Sequence, residues 1–455
     1  MKRQTLRTAG LTACLAALAT AVFAQAPAAA TPPVKLDTGD TAWMLTSTAF
    51  VFLMTPGLAL FYAGMVRSKN VLSVLMQSFL AAGLVSILWV LVGYSLAFGP
   101  DHHGIIGGLD WVGLKGVSMY TADADYAPTI PHMLYMMYQM TFAIITPALI
   151  SGAIVERMKF SSYFLFMALW SLVVYCPIAH MVWGHNGYLG TTVGALDFAG
   201  GTVVHISSGI SALTLAIILG KRKGNAEEMR PHNLPMTLIG TALLWFGWFG
   251  FNAGSGVSSS PLAVSAFTAT HVATSAAAMT WMMIEWAIYK KPSALGFASG
   301  AVAGLVAITP AAGFVRPMPA LFIGIVVSFV CFFAIKLKSR FGYDDALDVF
   351  GVHACGGIWG ALATGLFATK AVNAAGNDGL FNGNPAQLGH QALAVAITIV
   401  VAVVGTVLIA GVVGLVTGGI RASADDEENG LDVTEHGEVG YHGDGSGTPA
   451  LVGID

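Results

Sequence analysis

The chain has 455 residues, 55% of them apolar and only 10% charged, with a mean hydropathy of +0.71. A soluble domain carries roughly 25% charged residues, and a net charge of −3 offers no bulk attraction to polyanions. A soluble enzyme, a nucleic-acid binder and a disordered chain are thereby excluded, which leaves a helical membrane protein.

At the N-terminus, Lys2, Arg3 and Arg7 precede an apolar run from Leu11 to Ala24 that is too short to span comfortably. This pattern predicts a cleavable signal peptide over residues 1–24 and a mature start at Gln25. Leu11-Thr12-Ala13-Cys14 mimics a lipoprotein box, but the apolar run continues past Cys14. The remaining cysteines, Cys176, Cys331 and Cys355, sit singly in apolar runs, so neither a disulfide framework nor a metal spacing is present. No cofactor motif accompanies them.

A helix needs about 20 mostly apolar residues to cross a bilayer. Eleven such stretches are predicted, at 42–66, 71–98, 131–155, 160–180, 198–220, 234–256, 261–289, 294–313, 317–336, 346–369 and 391–420. With the mature N-terminus outside, fourteen Lys and Arg fall on the inner segments and four on the outer ones, which sets N-out, C-in. The fold class expected is an all-α polytopic membrane protein with a membrane domain over 25–420. The tail, 421–455, has nine acidic residues against one basic, and charge alone reads as a solvated cytosolic terminus.

Two internal matches divide the spans into halves. Gly57, Phe61, Ala63 and Gly64 align with Gly247, Phe251, Ala253 and Gly254 on spans 1 and 6. Without a gap, Asp197 through Ile210 aligns with Asp345 through Ile358, both reading D-x6-V-H-x3-G-I, on spans 5 and 10. An inverted 5+5 repeat plus an eleventh helix accounts for both, and such repeats place a transport site at their interface.

The repeat singles out His205 and His353. Each lies eight residues beyond its aspartate, about 12 Å along a helix, so each is well inside the bilayer, where the neutral imidazole is favoured. Two neutral imidazoles at symmetric positions can form a polar relay along a narrow pore, ligate a haem from facing helices, or line a sensor's ligand pocket. Phe142, Trp183, Phe249 and Phe251 near the outer ends, with the hydroxyl of Ser255, favour a small cation at the entrance, because aromatic faces attract cations where water is excluded.

The strings FYAGMVRSKNVLS, YQMTFA, SGAIVERMKF, PIAHMVWG, GALDFAGGTVVH, RPHNLP, WFGFNAGS, IEWA, AVAGLVAITPAAG, DVFGVHACGGIWG and GLDVTEHGE run from the first span to the tail. In these the chain resembles the ammonium transporter (Amt/Rh) family, in its bacterial Amt branch. The resemblance implies a non-enzymatic homotrimer in a bacterial inner membrane, each subunit with its own pore for ammonium and its analogue methylammonium. It implies an outer ammonium site of Phe142, Trp183 and Ser255, a gate of Phe142 and Phe251, and a twin-His relay of His205 and His353. It further implies that Asp197 is needed for transport and that Thr309 is a pore residue. GLDVTEHGE resembles the family segment that couples the cytosolic face to a PII-type signal protein. A sensor using the same pocket and a passive ammonia channel are the alternatives within that family. His271 in span 7 departs from the family pattern, residues 122–131 and 371–385 carry no usable motif, and His102 and His103 read as loop residues.

Overall fold

The computed structural model describes residues 35–224 and 229–441; the signal-peptide expectation therefore lies outside the described residues. Ten described helices are long and apolar enough to cross a membrane, and one shorter apolar helix joins them. In chain order they are α1 (Thr38–Met65), α2 (Ser68–Phe98), α3 (His132–Ile154), α4 (Phe160–Val193), α5 (Gly201–Leu219), α6 (Leu234–Gly256), α7 (Pro261–Tyr289), α8 (Ala294–Ile308), α9 (Pro317–Phe341), α10 (Phe350–Phe367) and α11 (Ala386–Thr417). Two short helices, α12 (Ala424–Asn429) and α13 (Leu431–His436), follow.

Two boundaries differ from expectation for physical reasons. The eighth span was expected over 294–313, but α8 stops at Ile308 and a buried turn carries the chain past Pro310, which cannot donate to a helical ladder. At 15 residues α8 is about 22 Å long, short of a bilayer core. It tolerates this because it is buried in protein: a Cβ on Gly300 would lie 2.6 Å from Trp281 Cβ, and one on Gly304 2.7 Å from Ala277 Cβ. The fourth span, expected to end near residue 180, is helical to Trp183, breaks, and resumes over Tyr188–Val193.

Small residues set which helices touch, as expected where lipid tails provide no hydrophobic drive between helices. Along α1 and α6, a Cβ on Gly240 would sit 2.3 Å from Phe61 N, and one on Gly247 2.3 Å from Met54 Cγ. The glycines of the first repeat match are thus contact points of this pair. At the second match, a Cβ on Gly209 would sit 2.4 Å from Ala354 N, and one on Gly357 3.1 Å from His205 Cβ. Each repeat's glycine packs against the other repeat's histidine region, which is why α5 and α10 cross where their histidines lie.

Loops following α1, α3, α5 and α9 meet on one face, the face that the Lys and Arg count assigns to the cytosol. Arg67 is paired to Glu156 at 2.7 Å, Arg222 reaches both Glu156 at 3.6 Å and Asp344 at 2.9 Å, and the fully buried Arg157 contacts Asp344 at 3.1 Å. The tail joins them through Arg421, which donates to Leu219 O at 2.7 Å, Lys221 O at 2.8 Å and the Glu427 carboxylate.

Burial alone would raise the Asp344 carboxyl, but hydrogen bonds and charge from Arg222 and Arg157 hold it at about 2, while burial lowers Arg157 to about 10. Folding therefore lowers the Asp344 pKa, so its contribution is present above the ordinary aspartate value of 3.8 and is lost as pH falls through about 2. Asp344→Asn leaves Arg157 buried without its carboxylate, at a cost on the order of 3 kcal/mol. Thermal unfolding in detergent at pH 7 should show a lowered midpoint for this variant, with the difference from the parent narrowing only below about pH 4.

Candidate functional site

Asp197 immediately precedes α5, and its carboxylate accepts backbone N–H bonds from Gly200 (2.7 Å), Gly201 (2.6 Å), Thr202 (2.8 Å) and Val203 (3.3 Å), with a short contact from the Thr202 hydroxyl. These are the donors that a helix start leaves unpaired inside a membrane. Gly200 makes the tight approach at φ +120°, where a side chain would be strained. The backbone oxygen of Asp197 accepts the Trp183 indole N–H at 2.9 Å. The carboxylate is therefore spent on the chain itself, and Asp197 acts by placing both the start of α5 and Trp183.

Asp345 repeats the arrangement before α10, accepting from Val349 N at 3.0 Å and Phe350 N at 2.7 Å. With fewer donors and Asp348 nearby, burial pushes its carboxyl up to about 6. In both copies the stretch between aspartate and histidine forms a π turn, Gly201–Ile206 and Phe350–Ala354, a local widening frequent at functional sites.

These turns bring His205 and His353 together, buried, with Nδ1 atoms 3.2 Å apart and ring centroids 5.4 Å apart. Of two neutral imidazoles in this contact, one donates through Nδ1 and carries a bare Nε2, and the other accepts and carries an Nε2–H. The pair thus presents one acceptor and one donor, and His205 Nε2 has no hydrogen-bond partner among the described residues. The lumen beside them has apolar walls that include Met54, Leu58, Ile145, Leu149, Leu244 and Val302, and a volume of about 10 Å³. That is the room needed by one water-sized molecule. A porphyrin does not fit, which disposes of the haem alternative. On the other side of His353 a separate cavity is lined by Tyr62, Ser299 and Asp348, toward the basic face.

Toward the other face, Phe142 and Phe251 close the lumen with ring centroids 4.2 Å apart, both essentially inaccessible. Phe142 also meets Trp183 edge-on at 5.9 Å, and Phe251 lies 6.2 Å from His205. Ser255 Oγ donates to Phe251 O at 2.9 Å. The structure therefore groups Phe142, Trp183, Phe251 and Ser255 above the histidines.

Thr309 is fully buried behind Trp248, whose Nε1 donates to its hydroxyl at 2.8 Å, while the Trp248 ring stacks on His205 at 5.4 Å. Phe249 does not join the group; it stacks on Phe267 of α7 at 4.0 Å. His271 is exposed on α7, beside Trp245 at 5.6 Å. His102 and His103 are exposed in a short β-hairpin segment, and no group of three or more His, Cys, Asp or Glu that could hold a metal occurs among the described residues.

Tyr138 was missed. It lies one turn before Phe142, with ring centroids 5.0 Å apart, and its hydroxyl is 2.8 Å from Phe251 O, 2.9 Å from Gly250 O and 3.2 Å from Ser255 Oγ. It ties α3 to the end of α6 at the position of Ser255. The available signal was the YQMTFA string, in which Tyr138 and Phe142 are spaced i, i+4 and share a helix face.

Residues 42–441 match the model of the Ammonium Transporter Family. An ammonium transporter of Bacillus subtilis is 54% identical over 407 residues, covering 89% of this chain and 99% of that protein. One from Aquifex aeolicus is 50% identical, covering 90% and 94% respectively. Among solved structures, Saccharomyces cerevisiae Mep2 superposes with a TM-score of 0.80 at 35% identity, covering 86% of this chain and 89% of that one.

Proposed function

The chain belongs to the ammonium transporter family and is an ammonium transporter, and from that premise we propose a mechanism in which ammonium is captured at the outer mouth, deprotonated, and passed as ammonia beside a twin-His relay. What carries this reading is the His205–His353 contact, 3.2 Å between Nδ1 atoms, in an apolar lumen of about 10 Å³ beneath two phenylalanines in close ring contact.

Trp183 and Phe142 present aromatic faces to a cation, and Ser255 an oxygen acceptor. An ion stripped of water in the apolar lumen meets a desolvation penalty of several kcal/mol, whereas ammonia incurs no such charge penalty. Deprotonation therefore precedes passage, and Phe142 and Phe251 must part to admit the neutral molecule. The proton given up by ammonium enters at the bare Nε2 of one imidazole, the shared proton shifts across the Nδ1–Nδ1 contact, and the second ring releases its Nε2 proton toward the basic face; the two rings have then exchanged donor and acceptor roles, and ammonia and one proton have both crossed. Asp197 supports this by fixing Trp183 and the start of α5.

The functional unit is proposed to be a homotrimer in the bacterial inner membrane. The tail is proposed as the docking element for a PII-type protein. Asp432 accepts from Leu72 N at 3.0 Å and Ser73 N at 2.7 Å, and Leu431 N donates to Asn70 Oδ1 at 2.8 Å, so a partner that grips the tail pulls on the start of α2.

Three outcomes test these assignments. His205→Ala and His353→Ala should each abolish ammonium-driven current in proteoliposomes, and unchanged current would remove the relay. Tyr138→Phe, which keeps the ring, should raise the apparent KM for methylammonium about five-fold, equivalent to about 1 kcal/mol for a lost hydrogen bond, with the maximal rate little changed; an unaltered KM would separate Tyr138 from the site. Truncation before Asp425 should eliminate inhibition by PII in a transport assay, and transport with inhibition intact would refute the role of the tail.

A further inference from the structure

The helix of the fourth span breaks at Trp183. The first stretch of α4 ends there, Gly184 N donates to His180 O at 2.8 Å and Gly187 N to Gly184 O at 2.9 Å, and helix resumes at Tyr188. The single N–H of the Trp183 indole is spent on Asp197 O, so the ring's place is otherwise set by the backbone on the two sides of the break. A small hairpin of the outer loop, β1 (Asp101–His102) paired with β2 (Ile106–Gly107), bridges that break. Asp101 Oδ1 lies 2.9 Å from His180 Nε2, one turn before Trp183, and Gly104 O accepts from Tyr188 N at 2.8 Å just after it. The two anchors are coupled, because the same Asp101 oxygen accepts from Gly104 N at 2.7 Å. Gly104 turns there at φ +72°, where a Cβ would lie 3.0 Å from Tyr188 N. Ser95 of α2 fixes the hairpin in turn, its hydroxyl donating to Gly108 O at 2.7 Å.

His180 is fully buried, and both of its ring nitrogens face oxygens: Nδ1 is 3.0 Å from Ala97 O, and Nε2 is 2.9 Å from the Asp101 carboxylate. A neutral imidazole has one N–H and one bare nitrogen, so either tautomer would set a lone pair against an acceptor. The contacts are satisfied when the ring carries both protons, its charge balanced by Asp101 and favoured by its position in the last turn of the stretch Cys176–Trp183. Burial alone would raise the Asp101 carboxyl, but the bonds from His180 and Gly104 and the charges of His180 and His102 hold it below its ordinary value. The titratable groups on the surrounding elements are engaged elsewhere or exposed. Tyr94 of α2 is bonded to His132 at 2.6 Å, Tyr126 of the outer loop accepts from His185 N at 2.7 Å, and His102 is exposed. At the start of α5, Asp197 holds backbone N–H groups and His205 meets His353. Among the described residues Asp101 is the ion-pair partner of His180.

We propose that Asp101 and His180 are positioning residues for ammonium capture: their buried ion pair splints the break in α4 and so holds Trp183 where its ring meets the cation. This rests on the reading of Trp183 as part of the outer site. The splint is complete while the imidazole carries both protons and is lost as rising outer pH removes one, because a bare nitrogen then faces Ala97 O or the Asp101 carboxylate. Capture of the cation is thereby tied to the acidity of the outer side.

Methylammonium uptake by proteoliposomes, measured against outer pH, tests this, since an alkylammonium, like a lysine side chain, stays protonated between about pH 6 and 9. Asp101→Asn keeps the shape and removes the charge. It should raise KM about ten-fold at the acid end, the amount expected for a hydrogen bond between charged groups, with the maximal rate little changed. The ratio of its KM to that of the parent should fall toward one as pH rises and the parent loses the same contact. His180→Gln, which cannot donate toward both oxygens, should behave alike. KM does not depend on the folded fraction, so partial misfolding of either variant does not mimic the effect. Parent-like KM at acid pH in both variants, or a ratio that stays constant across the range, overturns the proposal. Trp183→Leu separates the two readings: an unaltered KM there removes the outer site itself, whereas a raised KM there with none in Asp101→Asn removes only the splint.

Discussion

Burying charge in a low-dielectric interior is the constraint to which the rest of this structure answers. The desolvation penalty of several kcal/mol per ion is recovered only by close pairing or by losing the charge. On the basic face the chain uses pairing: Arg157 is fully buried yet sits 3.1 Å from Asp344, and Glu156 is held by Arg67 and Arg222. Inside the lumen no such partners are provided, and the polar groups are two imidazoles that share one hydrogen bond while neutral. In the proposed mechanism the same constraint acts on the substrate, which sheds its charge before it passes Met54, Leu58, Ile145 and Val302. On that proposal selectivity rests on acid–base chemistry rather than pore width: a cation with no proton to give up has no neutral form to enter with.

The backbone obeys a related rule. Helices that begin within a membrane need acceptors for their first N–H groups, and Asp197 and Asp345 supply them in the two halves of the repeat. Each cap holds a π turn, each turn holds a histidine, and Gly209 and Gly357 let the two helices approach at that depth. The motif D-x6-V-H-x3-G-I is thus one mechanical unit used twice.

Much of this was legible in the sequence. Scarce charge and its one-sided Lys and Arg distribution reported the membrane and the spans, because transfer energies act locally along the chain. The repeated motif reported the histidine pair, because its residues are contiguous. What escaped depends on contacts between segments far apart in sequence. Tyr138 reads as an ordinary core aromatic until its hydroxyl meets the carbonyls at the end of α6, 112 positions away. The bond from the Trp248 indole to the Thr309 hydroxyl likewise joins residues 61 positions apart. The early end of α8 was signalled by Pro310, but apolar composition alone ran the span past it.

The central claim is that passage requires a substrate able to shed a proton, and the most direct measurement is the current carried by the unmodified protein in proteoliposomes under matched inward gradients of ammonium and potassium. The account predicts a saturable current with ammonium and none above the empty-liposome background with potassium. A potassium current comparable to that of ammonium would contradict it, since an intact ion would then be crossing the lumen beside His205 and His353.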